Sequence, residues 1–302
     1  MFTIDTLNNL YGVNGQLRFF EGSGGLPFIA VNHQHASALI SIYAAQVLSY
    51  QPADEKQDLL FVSSKANYST GKTIRGGIPV CWPWFGPDPD QRQRPNHGFA
   101  RLQLWEVCAA EAAVDETKIV LQLSANEQIA AIWDYPFTVT LEITVGKTLG
   151  LTLTTENTGK KVFAITEALH SYFLVGDIGN VQINGLEETH YRDKLAADKQ
   201  KYQQGAVIIG EEVDRIYTGV KDRVIIDDLA LKRQIEIFSP KSDHIVVWNP
   251  WVNTIQSMAD LADQDYQRFV CVETGHMAGE PITIAPDEAH ELLTEIKILP
   301  GS

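Results

Sequence analysis

Apolar residues recur at every second position from Phe137 to Val145, where Phe137, Val139, Leu141, Ile143 and Val145 alternate with Thr138, Thr140, Glu142 and Thr144. A period of two puts successive side chains on opposite faces of an extended strand, so one face is buried and the other meets water. After Gly146-Lys147-Thr148 the pattern resumes at Leu149, Leu151 and Leu153, which reads as a β-hairpin. Similar short strands are expected at 16–21, 27–31, 37–49, 58–63, 102–109, 118–124, 162–173, 223–227, 233–238, 244–249, 268–273, 281–285 and 291–299. Helical signals are few. Met258 to Tyr266 reads as one short helix, and Leu195 to Gln204 is a polar stretch of ambiguous type. Many strands and little helix imply an all-β protein of sandwich or barrel type. No shift of composition marks a linker and no repeat is found, so residues 1–302 read as a single domain.

The balance of charge narrows the partners. A formal net charge of −14 argues against nucleic acid, which needs a basic footprint. It leaves a small anionic ligand open, because distant charges are screened beyond about 8 Å at physiological salt whereas a local arginine pair acts at contact. The most apolar run, Ala36 to Leu48, is too short and too interrupted to span a bilayer. No secretory signal is visible, and Cys81, Cys108 and Cys271 are unpaired in spacing, so a cytoplasmic protein with reduced thiols is expected.

Against this regular background one stretch stands out. Between Ile74 and Arg101 the chain holds four arginines, and Gly76, Gly77, Pro79, Pro83, Gly86, Pro87, Pro89 and Pro95 break it repeatedly. Ile78, Val80, Trp82, Trp84 and Phe85 are too apolar to be left in water, so the loop is expected to be ordered and to present arginines and aromatics as a binding surface. Arg92 and Arg94 read as its solvated edge.

Familiar motifs fail. Gly71-Lys72-Thr73 lacks the upstream glycine of a phosphate loop, Gly22 to Pro27 breaks the dinucleotide pattern, and no GxSxG is present. His33-Gln34-His35 offers two imidazoles without a third ligand, so no metal is assigned. Two ionisable residues instead sit where strand patterning disfavours them. His170 shares a face with Ala168 and Tyr172 in an apolar strand, and Glu273 shares one with Phe269 and Cys271. His170 could be a satisfied core histidine and Glu273 a strand-end carboxylate facing water, but a carboxylate buried there loses solvation and its pKa rises unless compensated. Val213 to Tyr217 contains the polar pair Asp214-Arg215, either in a surface ion pair with a neighbour or part of a site. Trp248 and Trp251, in Val247-Trp248-Asn249-Pro250-Trp251, suit either a core or the apolar face of a sugar. Composition and spacing reach a β-rich protein with an arginine- and aromatic-lined pocket, and no reaction.

The blocks IRGGIPVCWPWFGP (74–87), NHGFAR (96–101), EALHSYF (167–173), VDRIYTG (213–219), VWNPW (247–251) and FVCVETG (269–275) resemble, in that order, the hexose-6-phosphate mutarotases of the aldose 1-epimerase superfamily. The resemblance implies a large β-sandwich of the galactose-mutarotase type that interconverts the α and β anomers of a hexose 6-phosphate without metal or organic cofactor. By the same resemblance Glu273 is the general base and His170 the general acid that protonates the ring oxygen. Arg75 and Arg101 clamp the phosphate, His97 donates to a sugar oxygen, and Asp214 accepts from ring hydroxyls. Asn96 stands where relatives often carry a side-chain amide that contacts the substrate. Two alternatives remain: an epimerase for unphosphorylated sugars, against which the arginine pair argues, and a non-catalytic phosphosugar-binding protein, against which the acid–base pair argues. The expected partner is a small sugar phosphate, with no nucleic acid and no membrane.

Overall fold

The protein is described by a computed structural model over residues 2–279 and 281–300. Two large antiparallel sheets carry the fold. The site sheet has eight strands in the order Lys199–Tyr202, His190–Asp193, Val213–Thr218, His244–Asn249, Phe269–His276, Glu167–Leu169 and Val80–Cys81, with Tyr172–Leu174 also paired to Phe269–His276. The back sheet has nine, in the order Val207–Ile208, Val181–Asn184, Arg223–Asp228, Arg233–Phe238, Ala289–Ile298, Leu149–Glu156, Thr138–Val145, Thr117–Ser124 and Glu106–Ala112. A four-stranded meander, Leu17–Glu21 to Gln46–Pro52, and a small pair, Phe163–Ile165 with Ile282–Ile284, complete it. Among the described residues no helix is long and apolar enough to cross a membrane.

Alternation builds the core. Val139, Leu141 and Ile143 from the back sheet are fully buried, as are Val247, Val270 and Val272 from the site sheet, and all belong to one cluster that runs from Leu7 to Ile296. The predicted hairpin at 137–153 forms with Val145 opposite Leu149, around the Gly146-Lys147-Thr148 turn. Burying a Leu- or Val-sized side chain is worth roughly 1.5–3 kcal/mol, so these inward rows dominate the stability of the sandwich.

Several expectations fail for local reasons. The strand expected at 37–49 is a hairpin, Ala36–Ser41 and Gln46–Pro52, turning through Ala44 and Ala45 at φ 70° and 47°. Both alanines are fully buried, and a buried Ala-Ala turn carries none of the Gly, Asn or Pro chemistry that marks turns in a sequence. Residues 58–63 make only isolated bridges, Leu60 to Phe173 and Val62 to Gly76. The single strand expected at 162–173 is three short ones. The helix expected at Met258 to Tyr266 lies earlier, at Trp251–Ile255, and Leu195 to Gln204 resolves into a 3-10 turn, Lys194–Ala196, and the edge strand Lys199–Tyr202. An N-terminal helix, Ile4–Tyr11, was not signalled by periodicity. The Thr3 hydroxyl caps it by accepting from the Thr6 N–H, and Asn8 ties it to Phe19 through both backbone groups.

Candidate active site

The outer face of the site sheet is read directly from alternation. Val213 and Tyr217, Ile245 and Val247, and Val270 and Val272 point into the core cluster. Their neighbours Asp214 and Ile216, Val246 and Trp248, and Glu273 therefore point the other way, where they line a cleft of about 460 Å³. That volume suits a small organic ligand. Cross-strand register sets the side chains beside one another: Asp214 is opposite Trp248, and Val246 opposite Glu273.

His170 reaches the same cleft from the face of Ala168 and Tyr172, at a break in its strand. Glu167–Leu169 pairs with residues 274–276 and Tyr172–Leu174 with residues 269–271, while the His170 N–H leaves the ladder to donate to the Pro79 carbonyl at 3.0 Å. The imidazole stacks on Tyr172 (4.9 Å between centroids, 8° between planes) and meets Trp248 edge-on. Its Nε2 stands 3.3 Å from Glu273 Oε1. The two expected acid–base residues, distant in sequence, are thus brought into contact.

The Ile74–Arg101 loop forms the rim. Gln46, fully buried, anchors it by donating to the Ile74 and Gly76 carbonyls. Gly76 (φ 112°) passes so close to the neighbouring segment that a Cβ would lie 2.3 Å from the Phe61 carbonyl oxygen, and at Gly98 (φ 73°) a Cβ would lie 2.0 Å from that of Trp82. Only glycine fits either place. Arg75 donates through Nε to Asp260 (3.0 Å) and through a terminal nitrogen to the Tyr172 hydroxyl (3.0 Å), so part of its donor fork is already committed. Arg101 spends one nitrogen on the Asn96 carbonyl (2.8 Å), and its Nε is buried without a protein partner. Asn96 lines the cleft at an exposed position.

The charges act locally. Burial pushes the Glu273 carboxyl well above the ordinary carboxylate value; Asp214 adds to the rise and Arg101 opposes it. Burial lowers His170, and His97, Arg101 and Arg75 lower it further. Direct contact between the two favours the ion pair and works against both shifts. Burial, with Arg101 and Arg75, lowers His97 to about 3, so its ring is neutral at ordinary pH. Its Nδ1 accepts from the Gly86 N–H (3.2 Å), which leaves the proton on Nε2 as a donor. Burial raises Asp214 to about 6, with Lys194 opposing.

All seven expected residues, Arg75, Asn96, His97, Arg101, His170, Asp214 and Glu273, line this one cleft. Other readings need correction. Trp82 and Trp84 do not face a ligand but are core residues, their ring N–H groups donating to Thr155 and to the Pro95 carbonyl, and of the loop aromatics only Phe85 reaches the cleft. Arg94 is no solvated edge: its side chain is 9% exposed, stacked on Trp84 at 4.3 Å and held by Asp88 and Asp90, whereas Arg92 is exposed as expected. Asp214 lines the cleft, whereas Arg215 lies on the opposite face over Tyr191. Trp248 lines the cleft, while Trp251 packs on Tyr266. His33 bonds the Val114 carbonyl and the His35 N–H, a structural role.

The sequence reading missed Arg192 and Lys194, which also line the cleft and share Asp198 as counter-ion. Four cationic side chains therefore surround one opening in a chain of net charge −14. The Cys271 thiol, with His170 and Glu273, forms a donor set within 4.8 Å. Burial drives that thiol far from the thiolate a metal needs, and the guanidiniums of Arg75 and Arg101 oppose a cation there.

A two-sheet antiparallel sandwich with a buried imidazole–carboxylate pair under a cationic cleft has the architecture of the galactose-mutarotase-like proteins. A family model described as aldose 1-epimerase matches residues 27–297, and the chain belongs to that family. It is 35% identical over 274 residues to a protein of Escherichia coli K12 provisionally named glucose-6-phosphate 1-epimerase, with 90% of each chain covered. A Salmonella typhimurium LT2 protein of the same provisional name is 35% identical over 88% of this chain and 86% of its own. The crystal structure of a Salmonella typhimurium protein (YeaD), provisionally titled a mutarotase, superposes with a TM-score of 0.89 at 32% identity, covering 96% of this chain and 95% of that one.

Proposed function

We propose that this chain, acting as one domain over residues 1–302, is a 1-epimerase of hexose 6-phosphates, with Glu273 as general base and His170 as general acid. The observation that carries this reading is the 3.3 Å contact between His170 Nε2 and Glu273 Oε1 at the floor of the cationic cleft.

The chemistry follows from proton accounting. Glu273 takes the proton of the anomeric hydroxyl while His170 delivers one to the ring oxygen. The C1–O5 bond breaks and O1 becomes the aldehyde oxygen. Rotation about C1–C2 presents the other face of the carbonyl. O5 then attacks C1, returning its proton to His170, and Glu273 returns its own to O1. Every proton has a donor and an acceptor among these residues, so the sequence closes without a cofactor. With cyclic sugar bound the pair holds its proton on the imidazole; with the open chain bound it holds it on the carboxyl. Turnover therefore needs one shared proton, and a second proton or none stops the cycle. A bell-shaped pH dependence is expected.

Around this centre the neutral His97 donates through Nε2, Asp214 accepts from a hydroxyl, and Trp248 faces the apolar side of the ring. Arg101, Arg192 and Lys194 offer the freer charge for a phosphate, with Arg75 supplying what Asp260 and Tyr172 leave unused. A close arginine–phosphate contact is worth a gross ~4 kcal/mol at an effective dielectric near 20, before desolvation.

Anomer exchange by saturation-transfer NMR, with glucose 6-phosphate and glucose compared, tests the reading. Exchange confined to the phosphate ester and lost in Glu273→Gln supports it. Equal exchange of both sugars would favour the epimerase for free sugars. Binding without exchange would leave a phosphosugar-binding protein.

A further inference from the structure

A second cluster of imidazoles and carboxylate lies on the opposite face of the site sheet. Ala168 packs on the cleft side, so its neighbour Glu167 points inward, toward the back sheet. Its register partner His276 points the same way, and His290, from the start of the back-sheet strand Ala289–Ile298, reaches them from across the sandwich. His290 Nε2 stands 3.1 Å from Glu167 Oε1, and the ring of His276 meets that of His290 edge-on at 5.0 Å. One donor atom from each of the three residues lies within 4.8 Å of the others.

The polar groups of this cluster are not satisfied by one another. Glu167 is fully buried, and neither carboxylate oxygen has a hydrogen-bond partner among the described residues. His290 Nε2 is close but out of line for a hydrogen bond, and His276 Nδ1 is also buried and unpartnered. No Lys or Arg among the described residues pairs with Glu167. A buried carboxylate facing two imidazoles, with no well-formed hydrogen bond among the three, is costly unless something positive sits between them.

We propose that Glu167, His276 and His290 form a binding site for one divalent transition-metal ion of the zinc class, separate from the catalytic cleft. Imidazole and carboxylate donors suit Zn²⁺, Co²⁺ or Ni²⁺ rather than Ca²⁺ or Mg²⁺. Ligands at ~2.0–2.1 Å from a tetrahedral zinc stand about 3.3 Å apart, close to the separation of the Glu167 and His290 donors. The outer ring nitrogen of His276 lies 3.5 Å from Asp243 Oδ2, the carboxylate–histidine arrangement that fixes a ligand ring around a metal. His290 keeps 23% side-chain exposure and Asp243 75%, so an ion can enter from solvent. Because Glu167 and His276 belong to one sheet and His290 to the other, the ion would staple the two sheets at this end of the sandwich.

The test uses the untagged full chain, stripped with a chelator and titrated with Co²⁺ and Zn²⁺. We expect one equivalent bound per chain, a visible cobalt spectrum without a thiolate charge-transfer band, and a Tm that rises with added Zn²⁺. His276→Ala and His290→Ala should each abolish uptake, and Asp243→Asn should weaken it ~10–100-fold. His290, the more exposed of the two histidines, is the variant least able to disturb folding, and circular dichroism checks that it has not. No cobalt uptake by the folded protein would overturn the proposal. So would a thiolate band, which would place the metal at Cys271 in the cleft, or uptake unchanged in the His290→Ala protein.

Discussion

Two histidine–carboxylate clusters come from the same two stretches of chain, three residues apart in each: 167 to 170 and 273 to 276. An odd offset puts them on opposite faces of the site sheet. His170 and Glu273 open onto a cleft with Arg75, Arg101, Arg192 and Lys194 around it. Glu167 and His276 are closed over by the back sheet, with His290 as their visitor and no guanidinium at hand. The same residue types are thus given different chemistry by what surrounds them. An open face with cations favours a substrate anion and a mobile proton; a closed face with unpartnered donors favours a fixed cation.

The largest effect should separate the faces outright. Glu273→Gln and His170→Asn should each lower kcat by roughly 10²–10⁴-fold, the usual worth of one general acid or base. His290→Ala should leave kcat at the wild-type level. Anomer exchange at saturating sugar phosphate measures all three, and equal losses in all three would erase the distinction between the clusters.

Next in size is the effect of charge at the rim. A hydrogen bond to a charged group contributes about 1.5–3 kcal/mol, so Arg101→Ala should lower kcat/KM for a hexose 6-phosphate by roughly 10–100-fold. It should leave the value for the free hexose nearly unchanged. Arg75→Ala should discriminate less between the two sugars, since part of its fork holds Asp260 and Tyr172. If Arg75 proved the stronger discriminator, the phosphate would have to lie on the Asp260 side of the cleft.

A third comparison concerns stability. The folded state raises the pKa of Glu273 well above the ordinary 4.5, through burial first and Asp214 second. Below that ordinary value the carboxyl is neutral in folded and unfolded chains alike, and its burial as an anion costs nothing. As pH rises above 4.5 the unfolded chain ionises first, so stability falls until the folded pKa is passed. Glu273→Gln cannot ionise. Its Tm should therefore match wild type near pH 4 and exceed it by a few degrees at neutral pH, while activity is lost. Thermal melts across that range decide it; a variant less stable at neutral pH would mean that the carboxylate is held by hydrogen bonds that outweigh its desolvation.

The sequence showed those parts of this design that alternation governs. Thr138–Val145 and the start of Leu149–Glu156 were legible because the inward side chains there are apolar and the outward ones are not; further on, the buried Thr155, which accepts from Trp82, departs from the pattern. His170 and Glu273 were legible for the converse reason, as ionisable groups in apolar strands. Arg192 and Lys194 were hidden because their hairpin runs into Lys199–Tyr202, an edge strand exposed at all four positions and so without a pattern. Arg94 was misread because its partner Asp88 sits in the same proline-broken loop, where no period links them. The roles of Asp260 and Gln46, which hold Arg75 and its loop, depend on contacts between distant segments that no local pattern encodes. Glu167, His276 and His290 each lie at a strand end, where a polar residue is unremarkable until the sheets are packed.

The smallest predicted effect tests how finely the cleft is tuned. Asp214 and Glu273 are both raised by burial, but Asp214 only to about 6, since it is less enclosed and Lys194 opposes the shift. As an acceptor for ring hydroxyls it is strongest when ionised, so substrate capture should strengthen as pH rises through about 6. Asp214→Asn keeps the size and one acceptor oxygen but does not titrate. It should cost kcat/KM about 2–10-fold at neutral pH, the worth of one ordinary hydrogen bond, and remove the inflection near that pKa. Because the ionised Asp214 also raises Glu273, the same substitution should lower the pKa of the shared proton and shift the bell toward acid. A pH–rate profile of the variant reads both consequences at once. An inflection lost without a shift of the bell would mean that Asp214 touches the sugar but lies too far from the pair to tune it.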